Sequence, residues 1–231
     1  MVKGGGHGNY RNLVVAPASV QEMANLTILA FELADKYRNP AIVLTDGFIG
    51  QMIEPLQLEE CQIPLPEKPW AVTGAHETRK NLINSIYLET DELEAHVRHL
   101  QDKYCRAQEE EPRQELYLAD DAEVLVVGYG IVSRVLRSAV EQVRKFGLRA
   151  GLFRPLTLWP FPSKALAAAA ARCRSVLVVE LSTGMMVEDV RLALDGRVPV
   201  EFYGRSGGNV PGAEEIRDRL LAKAAEMVAV G

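Results

Sequence analysis

What this sequence lacks excludes several classes of protein. Its 231 residues include three widely spaced cysteines, Cys61, Cys105 and Cys173. They make neither a disulfide framework nor a ligand set for a metal or an iron–sulfur cluster. We therefore expect reduced thiols, with any electron-carrying centre on another chain. No apolar run approaches the roughly 20 residues that span a bilayer, and the polar, glycine-rich start is unlike a secretory signal. These absences predict a cytoplasmic protein.

The charge balance excludes a second group of partners. A formal net charge of −5 offers no electrostatic attraction to nucleic acid or to an anionic membrane surface. His76, His96 and His99 lack the spacing partners of a metal site. We therefore predict no nucleic-acid partner, no membrane partner and no metal bound by this chain.

The most informative stretch is residues 123–140. An apolar run at 124–127 is followed by the turn Gly128-Tyr129-Gly130 and then by an amphipathic helical pattern, which is typical of the first half of a βαβ unit. A dinucleotide fingerprint would need a third glycine where Ser133 stands, and an acidic residue where the second strand ends in Arg154-Pro155. A nicotinamide-binding protein is therefore a rival hypothesis that the turn alone does not support.

The pattern after this turn alternates regularly. Strands are predicted near 124–128, 148–153, 176–180 and 199–203, and helices near 131–146, 162–172, 184–195 and 212–228. Four such units predict a parallel sheet covered on both faces. We assign residues 121–231 to this α/β domain and residues 59–120 to a connector that carries a polar helix at 91–111.

The start of the chain shows a shorter strand–helix–strand pattern. Strands are predicted at 13–16 and 41–44, and a helix between them begins with the capping-box pattern Ser19 to Glu22. Two strands and one helix make a poor core, because an independent sheet normally needs three or more strands. The sequence therefore predicts that residues 1–58 are the last piece of a larger domain whose earlier strands are absent.

Six phrases occur in order along the chain. They are KGGGHGNYR (3–11), APASVQEM (16–23), DG (46–47), FRPLTLWPFP (153–162), MVEDVR (186–191) and EFYGRSGG (201–208). Together they resemble the α subunit of the 2-oxoacid:ferredoxin oxidoreductases, above all the 2-oxoisovalerate and 2-oxoglutarate types. The resemblance covers almost the whole chain.

The resemblance implies a fold, a reaction and partners. The α/β fold would be a partial domain of the type that holds the pyrimidine of thiamine diphosphate, followed by a parallel-sheet domain like the C-terminal domain of transketolase. The reaction would convert a 2-oxoacid and coenzyme A to acyl-CoA and CO2 while reducing ferredoxin. Thiamine diphosphate and Mg²⁺ would be held mainly by partner chains. Iron–sulfur clusters would lie on the β subunit and a ferredoxin-like or γ subunit.

The resemblance also implies an incomplete subunit. The family's N-terminal portion, with the glutamate that contacts the aminopyrimidine ring, has no counterpart here, so the isolated chain should be inactive. Asn9 stands where the family often has Asp, and the stretch 180–185 departs from the usual form, which leaves the 2-oxoacid open. The alternative is an α/β binding module that kept the fold and lost the chemistry.

Two segments are candidates for cofactor binding. In the first, glycines bring backbone close to a ligand, and a titratable group, a hydroxyl and a cation follow; in the second, Asp-Gly ends a parallel strand, where ligands of open α/β sheets bind. The candidate residues are Gly5, Gly6, His7, Tyr10, Arg11, Asp46 and Gly47. A flexible tail and a plain turn are the respective alternatives.

A third segment is a candidate for binding the substrate or coenzyme A. Arg205, Gly207 and Gly208 form a basic, glycine-rich loop after the last strand, although the residues alone favour an ordered turn. Arg154 and Glu180 end strands predicted to be adjacent, which favours a structural ion pair over ligand contacts. Residues 184–186 either offer backbone amides to an anion or start a helix with packed methionines. The sequence identifies no catalytic set.

Overall fold

The computed structural model describes residues 2–4, 6–58 and 67–229, the side chains of 226–229 apart. In these ranges the predicted α/β fold is confirmed. The elements are β1 (Leu13–Val15), α1 (Val20–Tyr37), β2 (Ala41–Val43), α2 (Thr90–Glu110), β3 (Gln114–Tyr117), β4 (Val124–Val127), α3 (Gly130–Arg144), β5 (Ala150–Pro155), β6 (Thr157–Trp159), α4 (Ser163–Ala170), β7 (Ser175–Glu180), α5 (Met186–Leu194), β8 (Val200–Gly204) and α6 (Ala213–Ala229). Short 3₁₀ turns lie at Ile49–Gln51 and His76–Asn81.

The larger sheet has the order β3-β5-β4-β7-β8. Its four predicted strands are parallel, and β4 is buried along its whole length. Helices α3 and α6 pack on one face, while α4 and α5 pack on the other. The fifth strand, β3, is antiparallel to β5 and was missed. Its exposed and half-buried residues alternate without an apolar run, which is the pattern of a solvated edge.

The smaller sheet has the order β2-β1-β6. Strand β1 pairs in parallel with β2 and antiparallel with β6, and Ala16 donates a backbone hydrogen bond to Leu156 at 2.8 Å. The start of the chain therefore does not rely on its own two strands, because β6 adds a third. Strand β6 was missed because it is three residues long and follows β5 after one residue. The domain boundaries at 58 and 120 stay a prediction. Strand β3 pairs with β5 across the boundary at 120, and β6 pairs with β1 across both boundaries.

Two helices cover the smaller sheet. The predicted helix start is confirmed, since the Ser19 hydroxyl accepts the Glu22 amide at 3.1 Å. The Glu22 carboxylate reaches back to the amide of Ala18, at 2.8 Å, and not to that of Ser19 as in a full capping box. Tyr104 and Ala107 in the second half of α2 are buried in the core of this sheet. The Tyr104 ring meets Trp159 of β6 edge-on, with ring centroids 5.7 Å apart. The predicted polar helix thus lies across the smaller sheet, with its C-terminal half packed against it.

Candidate functional site

The two sheets meet at a seam, which we define as the contact between residues 46–52, after β2, and the start of α3. Asp46 occupies its centre. One carboxylate oxygen accepts the amides of Phe48 and Ile49 at 3.1 and 2.9 Å, and the other accepts the amide of Ile131 at 2.7 Å. A carboxylate is stabilised at a helix N-terminus by the helix dipole and the free amides.

Gly130 makes this contact possible. Its φ is +59°, and a Cβ there would lie 2.6 Å from the Asp46 carboxylate. The glycine turn therefore serves the close approach of Asp46. A dinucleotide phosphate at the same helix end would meet a carboxylate, which argues against the nicotinamide hypothesis on charge.

Ile49 anchors the seam from the apolar side. It follows Asp46 in the chain of the smaller sheet, yet it is fully buried in the core of the larger sheet together with Ile131 and Val132. Full burial of such a side chain contributes about 1.5–3 kcal/mol. The turn after β2 is therefore fixed by packing as well as by hydrogen bonds.

A first cavity, of about 420 Å³, opens beside Tyr129, and we call it the Tyr129 cavity. Its apolar wall includes Val14, Leu44, Leu158, Phe161 and Met186, and charged residues at it are Lys3, Arg11, Glu188 and Asp189. Burial raises the pKa of Tyr129, and the carboxylates of Glu180 and Asp46 raise it further. Tyr129 therefore stays a neutral hydroxyl at physiological pH, able to donate or accept a hydrogen bond.

The glycine-rich segment forms a closed loop at this cavity. The Asn12 amide donates to the carbonyl of Lys3 at 3.0 Å, and the Lys3 ammonium pairs with Asp189 of α5. A Cβ on Gly6 would lie 2.7 Å from the Tyr10 hydroxyl, so the glycine lets the chain fold over that ring. Arg11 lines the cavity and donates to the Tyr10 carbonyl at 2.8 Å.

The remaining candidates of this segment lie elsewhere. His7 is exposed, and Tyr10 is half-buried against Gly6. Gly5 lies outside the described residues. Of the five candidates, the structure therefore brings Arg11 to the Tyr129 cavity.

A second cavity, of about 470 Å³, lies on the other side of Asp46, and we call it the Gly208 cavity. One wall comes from the residues after β2 and the other from the ends of β7 and β8. The lining residues are Asp46, Gly47, Phe48, Gln51, Leu181, Ser206, Gly208 and Asn209. Two segments that the sequence proposed separately, Asp46-Gly47 and the loop after β8, thus face one another.

The loop after β8 presents backbone rather than charge. Gly207 and Gly208 have φ of +66° and +83°, and the space above both is open. The Arg205 guanidinium lies 3.0 Å from Glu215 of α6, and its pKa is raised by the Tyr203 hydroxyl and by the charge of Glu215. The cation at this position is therefore already paired.

Arg154 and Glu180 do not form a pair with each other. Strand β4 lies between β5 and β7, so the predicted adjacency was wrong. Arg154 donates to both Glu22 carboxylate oxygens, at 2.8 and 2.6 Å, and lies 2.9 Å from Glu115. Arg154 therefore does form structural ion pairs, but with Glu22 and Glu115, and the predicted pair with Glu180 was wrong.

Glu180 caps the N-terminus of α5. Its buried carboxylate accepts the amides of Met186 and Val187 at 3.0 and 2.9 Å, together with the Ser182 hydroxyl at 3.0 Å. The same carboxylate accepts the Met185 amide at 3.2 Å, and the Gly184 amide donates to the Ser182 hydroxyl at 3.1 Å. The amides that residues 184–186 would offer to an anion are therefore already occupied. Met186 is buried, as the helix-start alternative expects, while Met185 is exposed.

Sequence reasoning missed two features of the site. Tyr129 was interpreted only as part of a glycine turn, and Glu22 only as part of the start of a helix. A tyrosine between two glycines was a usable signal for a side chain held at a strand end. Nothing in the sequence pointed from Glu22 to Arg154. In the described residues, no group of three His, Cys, Asp or Glu side chains could hold a metal ion, and no helix has the length and apolar character that crossing a bilayer requires.

Comparison with known proteins places these features in a family. Residues 7–115 match the thiamine diphosphate-binding domain of pyruvate flavodoxin/ferredoxin oxidoreductases. Residues 122–216 match core domain II of pyruvate:ferredoxin oxidoreductase. The chain belongs to the family of 2-oxoacid:ferredoxin oxidoreductase subunits.

Two individual subunits are similar to this chain over most of its length. The chain is 55% identical to ketoisovalerate oxidoreductase subunit VorB of Methanothermobacter thermautotrophicus, over 95% of this chain and 62% of that subunit. It is 31% identical to 2-oxoglutarate synthase subunit KorA of the same organism, over 94% of this chain and 65% of that subunit. The chain thus spans less than two thirds of either relative.

A solved structure shares the fold. The 2-oxoglutarate:ferredoxin oxidoreductase of Magnetococcus marinus, with 2-oxoglutarate, coenzyme A and succinyl-CoA bound, matches with a TM-score of 0.75. The match covers 94% of this chain and 43% of that one, at 22% identity. At this identity the likeness shows the fold alone. The expected likeness to the C-terminal domain of transketolase stays a prediction.

Proposed function

We propose that this chain serves in the α-type subunit of a heteromeric, thiamine-diphosphate-dependent 2-oxoacid:ferredoxin oxidoreductase. The complex converts a 2-oxoacid and coenzyme A to acyl-CoA and CO2 and reduces ferredoxin. The observation that carries this proposal is the 55% identity to a ketoisovalerate oxidoreductase subunit over 95% of the chain. That identity favours a branched-chain 2-oxoacid as the substrate.

We place the pyrimidine end of thiamine diphosphate at the Tyr129 cavity. When bound, this cofactor supplies the electron sink needed to cleave the bond between the carbonyl and carboxyl carbons of a 2-oxoacid. The cavity fits a flat ring, since its wall is mainly aliphatic and aromatic and Tyr129 offers one hydroxyl. Arg11 stands at its edge, while Gly5, Gly6, His7 and Tyr10 stay candidates on the sequence alone.

We assign Mg²⁺, the diphosphate end and the iron–sulfur clusters to the partner chains. The β subunit and a ferredoxin-like or γ subunit are the proposed partners, with ferredoxin as the electron acceptor. Support for a complex of several chains comes from the relatives, which are named as subunits. The match of residues 7–115 to a thiamine diphosphate-binding domain supports the cofactor itself. The cytoplasm is the proposed location of the complex.

We assign coenzyme A to the Gly208 cavity. Gly207 and Gly208 leave the backbone of one wall open to a ligand, and Phe48 offers a partly exposed ring on the other wall. Arg205 is paired with Glu215, so we propose that it adds positive potential near the loop without contacting the ligand directly. The cavity itself would hold an uncharged part of coenzyme A.

Co-expression tests the proposal. The chain is produced without oxygen together with candidate β and γ subunits, and the purified complex is assayed for reduction of ferredoxin or of a viologen dye. We expect reduction that requires both 2-oxoisovalerate and coenzyme A, with omission of either as the control. Failure of the chain to co-purify with any such subunit would contradict the proposal. Calorimetric binding of coenzyme A by the isolated chain, without activity in any complex, would favour the non-catalytic module.

A further inference from the structure

The contacts of Asp46 do not match its prediction as a residue that binds the cofactor directly. Its two carboxylate oxygens accept three backbone amides, from Phe48, Ile49 and Ile131. A carboxylate engaged in this way has little capacity left for a ligand. Asp46 nevertheless lines the Gly208 cavity, and the amide it holds lies two residues after Tyr129 of the other cavity. The side chain therefore connects both cavities to the seam.

We propose that Asp46 is a positioning residue that fixes the Gly208 cavity for coenzyme A by acting through the amide of Ile131. The inference rests on the proposed function. It assigns to Asp46 a part in binding that requires no contact with the ligand.

One wall of the Gly208 cavity follows Asp46 directly in the chain. Gly47, Phe48 and Gln51 line the Gly208 cavity, and the Asp46 carboxylate fixes the backbone of this turn through two amides. Ile49 in the same turn is buried in the core of the larger sheet. This wall is therefore held against α3 at two points that lie three residues apart.

The opposite wall belongs entirely to the larger sheet. Leu181 follows β7, while Ser206 and Gly208 follow β8. The width of the cavity is consequently the distance between the turn after β2 and the ends of these strands. Since the Asp46 hydrogen bond to Ile131 joins the turn to the larger sheet, its loss moves one wall relative to the other. Small displacements of binding groups reduce affinity strongly.

Two variants disturb this contact by different routes. Asp46→Asn keeps one acceptor oxygen for its own turn but directs an NH2 donor at the Ile131 amide. Gly130→Ala leaves Asp46 intact and introduces a Cβ 2.6 Å from its carboxylate, at a φ of +59°. Arg134→Gln is the matched control, because it removes a nearby contact of α3 outside the seam, the solvent-accessible ion pair with Glu54, and such pairs contribute little.

The measurement is made on the co-expressed heteromer. For Asp46→Asn and Gly130→Ala we expect KM for coenzyme A to rise about tenfold, the loss typical of one hydrogen bond to a charged group. We expect KM for the 2-oxoacid and kcat to stay within about twofold, and hydrogen exchange at the Ile131 amide to become faster. Arg134→Gln should leave all four quantities unchanged.

Two results would overturn the inference. One is an unchanged KM for coenzyme A in both variants. The other is a lower melting temperature accompanied by a lower kcat and by higher KM values for both substrates. That result would show a general structural role.

Calorimetry separates this inference from the proposed function. Coenzyme A is titrated into the wild-type heteromer and into Asp46→Asn, so that affinity is measured without turnover. If the wild type reduces no dye, the proposed function fails. About tenfold weaker binding of coenzyme A by Asp46→Asn would still support the positioning role, and equal affinities would overturn it.

Discussion

Arg154 is the residue through which α1 and the larger sheet are joined electrostatically. Its side chain is 5% exposed and faces the carboxylates of Glu22 and Glu115. Both partners come from segments distant in sequence. Because the guanidinium is buried, it depends on these two carboxylates for its counter-charge. The alternation of charges along the chain gave no sign of this arrangement.

Removing Arg154 is expected to destabilise the fold strongly. Arg154→Met leaves the Glu22 carboxylate, which is 31% exposed, without its counter-charge, whereas Glu115 keeps its ion pair with Arg137. We therefore expect a cost of about 1–3 kcal/mol of unfolding free energy. Urea unfolding of the chain checks this value. Arg98→Met is the control, since Arg98 and its partner Glu94 are 75% and 62% exposed and such pairs contribute little. Equal effects of the two substitutions would contradict the assignment.

Because of Glu22, we expect the free energy of unfolding to depend on pH. Burial raises the pKa of its carboxyl, but hydrogen bonds from Arg154 and from the Ala18 amide lower it on balance below the usual 4.5. A carboxyl whose pKa is depressed by folding stabilises the fold above its unfolded pKa, and this contribution is lost as pH falls through the folded pKa. Glu22→Gln should therefore cost stability at neutral pH, and the difference from the wild type should shrink below pH 4.5.

The measurement is a series of urea unfolding curves from neutral pH down to about pH 3. The wild type and Glu22→Gln are compared at each step. A difference in unfolding free energy that stays constant over the whole range would contradict the role given to the carboxylate.

At the scale of elements, α2 is the helix whose packing is divided. Tyr104 is buried against Trp159 of β6, whereas Leu93, three turns earlier on the helix, is 45% exposed. Tyr104→Ala should cost about 3 kcal/mol of unfolding free energy, since it removes a large buried ring and leaves a cavity. Leu93→Ala is the control and should cost much less. Urea unfolding measures both, and similar costs would show that the packed half of α2 is not special.

Most elements followed from local pattern, and two did not. Strands β4, β5 and β7 are largely apolar, β8 contains Val200 and Phe202, and each is next to a helical pattern. Their type and their order along the chain could therefore be read directly. Strand β3 has the alternation of an edge without an apolar run, and β6 has three residues. Short strands are defined by the partner they pair with, which a single sequence does not state.

At the scale of the whole molecule, several large apolar side chains face solvent. Phe31 is 72% exposed, Leu88 is 87% exposed and Ile53 is fully exposed. In a heteromer we expect partner chains to cover part of this surface. Binding to the folded state then raises the apparent stability by mass action.

The expected result is a melting temperature that rises with the concentration of the partner subunits. Scanning fluorimetry of the chain, with the β subunit added in increasing amounts, measures this rise. An unrelated α/β protein of similar size, added instead, is the control. A melting temperature that ignores the β subunit, although the two chains co-purify, would contradict coupling between assembly and folding.

The sequence by itself determined the α/β class, the four parallel strands of residues 121–231 with the helices that follow them, the cap of α1 and the family. Each of these depends on residues that are close in the chain or on phrases in a fixed order. The tertiary structure decided where the glycine turn points, which residue it serves and which loops share a cavity. Asp46 and Gly130 meet, and Asp46 faces Gly208, only because the smaller sheet is packed on the larger one by Ile49, Arg154 and β6. Those contacts join residues far apart in the chain, and no local pattern encodes them.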